Sequence, residues 1–226
     1  MNTSIPVITI DGPSGVGKGT VTLRLAQYLG WHHLDSGAIY RVLALAAAQR
    51  QLTDQRAEAI TQLAVELQVE FQPLPDLSGT RVLLDQQDVT QQLRTETIAQ
   101  FASQLAAIAS IRSALLQRQR DCRRLPGLVA DGRDMGTVVF PDAPLKFFLT
   151  ASPQERANRR YKQLKQKGID ANLDNLVKEI AARDQRDCER QTAPLTPAAD
   201  AQRIDTTTLS IEAVMAQLLT SVSKHL

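Results

Sequence analysis

Gly12, Gly17 and Lys18, within Asp11-Gly12-Pro13-Ser14-Gly15-Val16-Gly17-Lys18-Gly19-Thr20, stand in the spacing G-x4-G-K. This is a spacing in which backbone can wrap a polyphosphate. Glycines let consecutive N–H groups turn inward without a Cβ in the way, a following helix N-terminus adds partial positive charge, and the lysine adds a full one. The strict pattern has Ser or Thr directly after the lysine; here Gly19 intervenes and the hydroxyl arrives at Thr20. The favoured ligand is a nucleoside triphosphate. Lys18 is expected to face solvent from the loop and to contribute little to the core.

A phosphate loop serves molecular switches and transferases alike, so other residues must decide. A GTPase would add N-K-x-D for guanine and D-x-x-G at the end of a core strand. The first is missing, and the one D-x-x-G, Asp76-Leu77-Ser78-Gly79, falls outside any core strand. What the chain offers is arginine at strand and helix ends: Arg41, Arg112, Arg133, Arg156, Arg159, Arg160, Arg183 and Arg190. Transfer of a phosphoryl group between two anionic nucleotides needs cations over both donor and acceptor, because positioning and charge stabilisation supply nearly all of the catalysis.

The elements that must hold these residues can be read in order. An apolar run from Ile5 to Ile10 suits a buried parallel strand, and Val21 to Leu29 has helical spacing with Gly30 as its stop. Trp31 to Asp35 reads as a second strand, on which His32 and His33 face opposite ways and cannot share a metal. A helix from about Ala38 to Arg50 follows, with Ser36 as its cap, and Thr53 caps another through about Leu67. Val69-Glu70-Phe71 and Thr80 to Leu84 are short strands around a Pro73-Leu74-Pro75 loop, with Asp85-Gln86-Gln87-Asp88 as a hairpin turn. Antiparallel pairing inside an otherwise alternating β/α chain marks an inserted subdomain. Helices span about Thr95 to Ile108 and Ser110 to Arg124. Gly127 to Asp131 and Leu145 to Leu149 return to the core as strands. Ser152, Pro153 and Glu155 give a cap, a first helical residue and a capping box. From there to Arg190 the chain reads as a charged, mobile helical flap. A last strand covers Arg203 to Thr206, and Ser210 caps a terminal helix with one apolar stripe at Ile211, Val214, Met215, Leu218 and Leu219. The fold class is α/β: a parallel sheet core flanked by helices.

Over 226 residues, 26 Lys and Arg against 24 acidic residues leave a net charge of +2, which gives no reason to expect a nucleic-acid or membrane partner. Cys122 and Cys188 have no metal-ligand spacing, the start of the chain resembles no signal peptide, and the longest apolar run, Val42 to Ala48, is too short to span a bilayer. The expectation is a reduced, soluble, cytoplasmic, monomeric protein.

The motifs G-P-S-G-V-G-K-G-T, L-D-S-G-A-I-Y-R, A-D-G-R-D-M-G-T-V-V-F-P-D-A and R-D-x-R-D-x-x-R with a following A-P-L are similar, in the same order, to those of bacterial cytidylate kinases. The resemblance implies a nucleoside-monophosphate kinase moving the γ-phosphoryl of ATP to CMP or dCMP with Mg²⁺. It implies one kinase domain: a core at about 1–35, 110–155 and 190–226, a monophosphate-binding insertion at about 36–109 and a lid at about 156–172. By the same resemblance, Gly12 to Thr20 hold the donor phosphates with Lys18 bridging to the transferred group, and Thr20 offers Mg²⁺ a contact, direct or through water. Ser36, Arg41, Arg133 and Arg190 surround the acceptor phosphate; Arg183 and Asp187 lie near the sugar hydroxyls; Ser103, Arg112 and Asp134 read the base. Arg156, Arg159 and Arg160 match the lid arginines that reach ATP, and Lys18, Arg133, Arg159 and Arg190 carry the catalysis. Where such chains tend to have a glycine-bearing hairpin turn, this one has Asp85 to Asp88. Two alternatives stay open: a related kinase with another small acceptor such as UMP, AMP or shikimate, and a binding module in which ATP orders the insertion for a protein or RNA partner.

Overall fold

In the computed structural model, which describes residues 5–74, 79–166, 168 and 170–225, the first apolar run forms β1 (Val7–Asp11), every residue of it buried. Residues Asp76 to Ser78 of the D-x-x-G, and Pro75, Lys167 and Ile169, lie outside the described residues. The chain divides into two compact units, Met1–Leu34 with Arg123–Leu226, and Asp35–Cys122.

The first unit is built on a sheet of order β2-β6-β1-β7-β8, with β2 His32–Asp35, β6 Leu128–Gly132, β7 Leu145–Thr150 and β8 Gln202–Asp205. β1 pairs in parallel with β6 and with β7, and β7 in parallel with β8. A strand with parallel neighbours on both sides and helices over its faces has no wet side, which is why β1, β6 and β7 are apolar runs rather than alternating ones. Helix α1 (Lys18–Leu29) buries Val21, Leu25 and Ala26 in that core, ending at Gly30 with φ 66°, a left-handed cap that glycine adopts without a Cβ penalty. The terminal helix (Ile211–His225) brings Val214, Leu218 and Val222 into the same cluster, with Ile211, Met215 and Leu219 at its edge. Ser210 caps it through the N–H of Ala213.

Between β7 and β8 stand two helices, Pro153–Gln166 and Leu173–Glu189, closed on each other by Ala157, Leu176 and Ile180 with Tyr161, Leu164 and Val177. Ser152 Oγ accepts the Glu155 N–H at 3.2 Å, as a cap should. The reciprocal half of the capping box is not made. Ser152 N–H donates to Thr207 Oγ1 and the Glu155 carboxylate takes Arg159 instead, because a guanidinium one turn on is the stronger partner for a carboxylate.

Among its described residues the second unit contains the α-helices α2 (Ser36–Gln49), α3 (Ala57–Glu66), α4 (Glu96–Leu105) and α5 (Ala109–Arg120), with an antiparallel sheet of β3 (Val69–Pro73), β4 (Thr80–Leu84) and β5 (Gln87–Asp88). Three local expectations change. The cap of α2 is Asp35, whose Oδ1 accepts the Ala38 N–H at 2.9 Å, and Ser36 is already helical. Thr53 precedes a short 3-10 turn, Asp54–Arg56, before α3 begins. The hairpin turn is Asp85-Gln86, with φ 48° and 67°, the two positive φ values that a type I′ turn demands, adopted here without glycine. The expected return to the core at about residue 110 falls later, since α5 belongs to this unit: Ile111 and Leu115 are buried and Arg118 donates to the Leu67 carbonyl at 2.8 Å.

Candidate active site

The phosphate loop leaves the carboxyl end of β1, where ligands of open α/β sheets bind. Gly12 has φ 145° and lies so close to the Leu149 carbonyl that a Cβ would collide with backbone. Gly17, at φ 95°, caps α1 and aims the helix N-terminus into the loop. Lys18 is the first residue of α1 and is only 6% exposed, so the expectation of a solvent-facing lysine is wrong. Its Nζ donates to the Gly12 carbonyl at 2.8 Å and the Pro13 carbonyl at 2.7 Å, the loop folding back over its own cation. Burial, reinforced by the Arg133 charge, pushes its ammonium well below the ordinary lysine range.

Two carboxylates that sequence reading left without a role flank this lysine. Asp131, 7% exposed on β6, reaches α1 through Thr22 Oγ1 at 3.4 Å and adds attraction for Lys18. Asp11 ends β1 with both oxygens on backbone N–H groups of Met135 and Gly136, each at 2.8 Å. The available signal was position: each is an acid at the carboxyl end of an apolar strand. Thr20 is exposed on the first turn of α1.

Beyond β6 the chain passes Arg133 and Asp134 and enters a single π-helical turn, Met135–Val139. Arg133 Nε donates to Asp187 at 2.9 Å. Burial raises the Asp187 carboxyl, but Arg133, its hydrogen bond, Arg183 and Arg190 outweigh this and hold it below the usual carboxylate range. Arg190 pairs with Asp134 at 4.0 Å and bonds the Ala193 carbonyl. Arg133, Asp134, Arg183, Asp187 and Arg190, expected to serve the acceptor, thus form one charged group with Lys18 beside it.

The helical pair is fastened to the glycine loop. Arg156, 3% exposed, donates to the Ser14 carbonyl at 3.2 Å and forks onto Asp184. Arg159 bonds Glu155 at 2.9 Å and the Thr206 carbonyl at 2.6 Å, while Thr206 Oγ1 donates to the Val16 carbonyl at 3.1 Å. Arg160 stands on the same helix, partly exposed.

The remaining expected residues belong to the second unit. Arg41 forms an ion pair with Asp35 at 2.8 Å, and Ser36 Oγ donates to Gln119 at 2.7 Å. Arg112 lies 5.8 Å over the Tyr40 ring and donates to the Ala106 carbonyl at 3.1 Å. Ser103 Oγ is buried without a hydrogen-bond partner among the described residues, an arrangement that costs free energy unless a ligand supplies the bond.

No helix among the described residues is long and apolar enough to cross a membrane, and none of their His, Cys, Asp and Glu side chains group in threes to hold a metal. The family model described as cytidylate kinase matches residues 8–224. A cytidylate kinase of Stutzerimonas stutzeri is 57% identical over 97% of this chain and 96% of its own length. One from Nitrosococcus oceani is 57% identical over the same shares. Among solved structures, a gluconokinase from Sinorhizobium meliloti covers 97% of both chains at 14% identity with a TM-score of 0.46.

Proposed function

The chain belongs to the cytidylate kinase family, and from that premise we propose that it transfers the γ-phosphoryl of ATP to CMP or dCMP, releasing ADP and the diphosphate. The observation that carries this reading is the near full-length match to named cytidylate kinases, in a chain whose phosphate loop stands beside a concentration of arginine.

In this reading the loop from Gly12 to Thr20 holds the donor phosphates through the backbone N–H groups of Gly12, Ser14, Gly15, Val16, Gly17, Lys18, Gly19 and Thr20, while Pro13, which has no N–H, only shapes the loop. Lys18 moves with the migrating group. Arg156 and Arg160 reach the ATP. Arg133, Arg159 and Arg190 spread positive charge over the transferring phosphoryl, Ser36 and Arg41 seat the acceptor phosphate, and Arg183 and Asp187 hold the sugar. Ser103, Arg112 and Asp134 face the base. Forked guanidinium groups suit phosphate oxygens, and a carboxylate suits the amino group on cytosine C4. Mg²⁺ fits the donor set: a buried carboxylate at Asp131 beside α1 and a hydroxyl at Thr20 are hard oxygen ligands, and this ion takes one or two carboxylates with phosphate oxygens rather than an all-protein cage. Bound there with ATP, the ion would neutralise charge on the phosphates.

A coupled assay for ADP release over a panel of nucleoside monophosphates, with shikimate as a further acceptor, tests the proposal. CMP and dCMP are expected to be the best acceptors, with UMP, AMP and shikimate well behind. A chain that releases no acceptor-dependent ADP is the ATP-ordered binding module instead. The same assay without acceptor should show hydrolysis at least about a hundredfold slower than transfer, since water must be excluded until the acceptor is bound. Comparable rates would remove the segment around Arg156 to Asn172 as a lid.

Asp134→Ala should narrow the ratio of kcat/KM for CMP over UMP by roughly ten- to a hundredfold, because the two bases differ at C4 as donor against acceptor. Asp134 is 3% exposed and makes no side-chain cap to the turn it precedes, which argues against a purely local structural role. Equal losses on both substrates would assign it that role after all.

A further inference from the structure

Among the buried carboxylates of the described residues, Asp11 takes no part in the proposed transfer. Asp11 is 4% exposed, and its two oxygens accept the N–H groups of Met135 and Gly136, each at 2.8 Å. Its next residue, Gly12, begins the phosphate loop; its two donors are the opening residues of the π-helical turn directly after Arg133 and Asp134. One side chain therefore joins the donor loop to the segment that carries a catalytic cation and the base-reading acid.

The local packing leaves this turn little freedom. A Cβ on Gly136 would stand 2.9 Å from Thr9 Oγ1, 3.1 Å from Lys146 Cδ and 3.4 Å from Asp11 Oδ2, so the turn lies flat against β1. A π turn is rare and is kept where its surroundings over-determine it. Asp134, at its cap position, makes no side-chain cap to it, and Asp11 serves the first two N–H groups from a distant strand.

We propose that Asp11 is a positioning residue for phosphoryl transfer: its carboxylate fixes the Met135–Val139 turn, and with it Arg133 and Asp134, against the donor loop, and so sets the preference for cytosine without touching the base. This rests on the reading of Asp134 as the base-facing acid. Burial pushes the Asp11 carboxyl up to about 7, against the Gly136 and Met135 N–H groups, while Asp134 adds to the rise and Lys18 opposes it. The charged groups around it are Lys18 from α1, Arg133 and Asp134 from the segment after β6, and Lys146 of β7, which is committed to Asp200 and the Pro141 carbonyl. A carboxyl that gains a proton as pH falls through this value keeps one good acceptor and loses the other, and the turn loosens.

The test is kcat/KM for CMP and for UMP, in the wild-type protein and in Asp11→Asn, across about pH 5.5 to 8.5, with KM for ATP measured alongside. Both acceptors carry the same phosphate, with its own pKa of about 6, so that titration cancels in their ratio. In the wild type the CMP-to-UMP ratio should fall by roughly tenfold from the alkaline to the acid end, the loss expected when one buried acceptor is removed. Asp11→Asn, which sets an amide NH₂ against one of the two N–H groups, should show the low ratio at every pH, with KM for ATP within about threefold of wild type. A flat wild-type ratio overturns the proposal, and so does a folded Asp11→Asn that keeps the wild-type ratio and profile. If the variant does not fold, the wild-type profile alone decides. A wild-type protein without CMP-dependent ADP release would instead sink the proposed function, a result separate from both.

Discussion

Lys18→Met is expected to lower kcat by about a thousandfold or more, on the scale of a single catalytic cation in phosphoryl transfer, which is about 4 kcal/mol of barrier. Methionine keeps the unbranched shape of the buried stem and removes the charge that, in the proposed mechanism, follows the migrating group. The structure adds a second effect. Because Nζ bonds the Gly12 and Pro13 carbonyls, its loss leaves both without their donor, and melting should come a few degrees lower, the response of a protein of this size to about 1–2 kcal/mol. Steady-state kinetics and a melting curve on one preparation separate the two. Near-normal kcat in folded protein would remove the phosphate loop from the chemistry.

Arg133→Met should cost as much in rate and considerably more in stability. Arg133 and Asp187 have side chains 18% and 7% exposed at 2.9 Å, and removing one partner of a buried pair leaves a charge uncompensated, at about 3–5 kcal/mol before solvent reaching the arginine is discounted. Arg183 and Arg190 also act on Asp187 and should absorb part of this. Combining Arg133→Met with Asp187→Asn removes the stranded charge. The double variant is expected to regain most of the lost melting temperature while kcat stays low. Recovery of activity together with stability would reduce Arg133 to a structural partner of Asp187.

Much of this molecule is written locally and could be read as such. The phosphate loop rests on glycines at fixed spacing beside a lysine, the Gly30 stop needs only a positive φ, and Ser152 and Ser210 cap helices that begin within three residues of them. The apolar runs of β1, β6 and β7 announce a parallel sheet because strands covered on both faces can afford no polar alternation. Local signals failed where two neighbours competed for one role: Asp35 caps α2 in place of Ser36, and Arg159 takes the Glu155 carboxylate from the capping box. Beyond that range the tertiary structure decided. Asp11 meets residues 124 and 125 positions away, Thr22 meets Asp131 across 109, and Arg156 meets the Ser14 carbonyl across 142. No spacing rule encodes such pairs, since they exist only once the strand order sets β1 beside β6 and β7. The same holds for the burial of Lys18: sequence supplies the cation and the loop, but only the chain folding back over Nζ takes it out of water and lowers its hold on the proton.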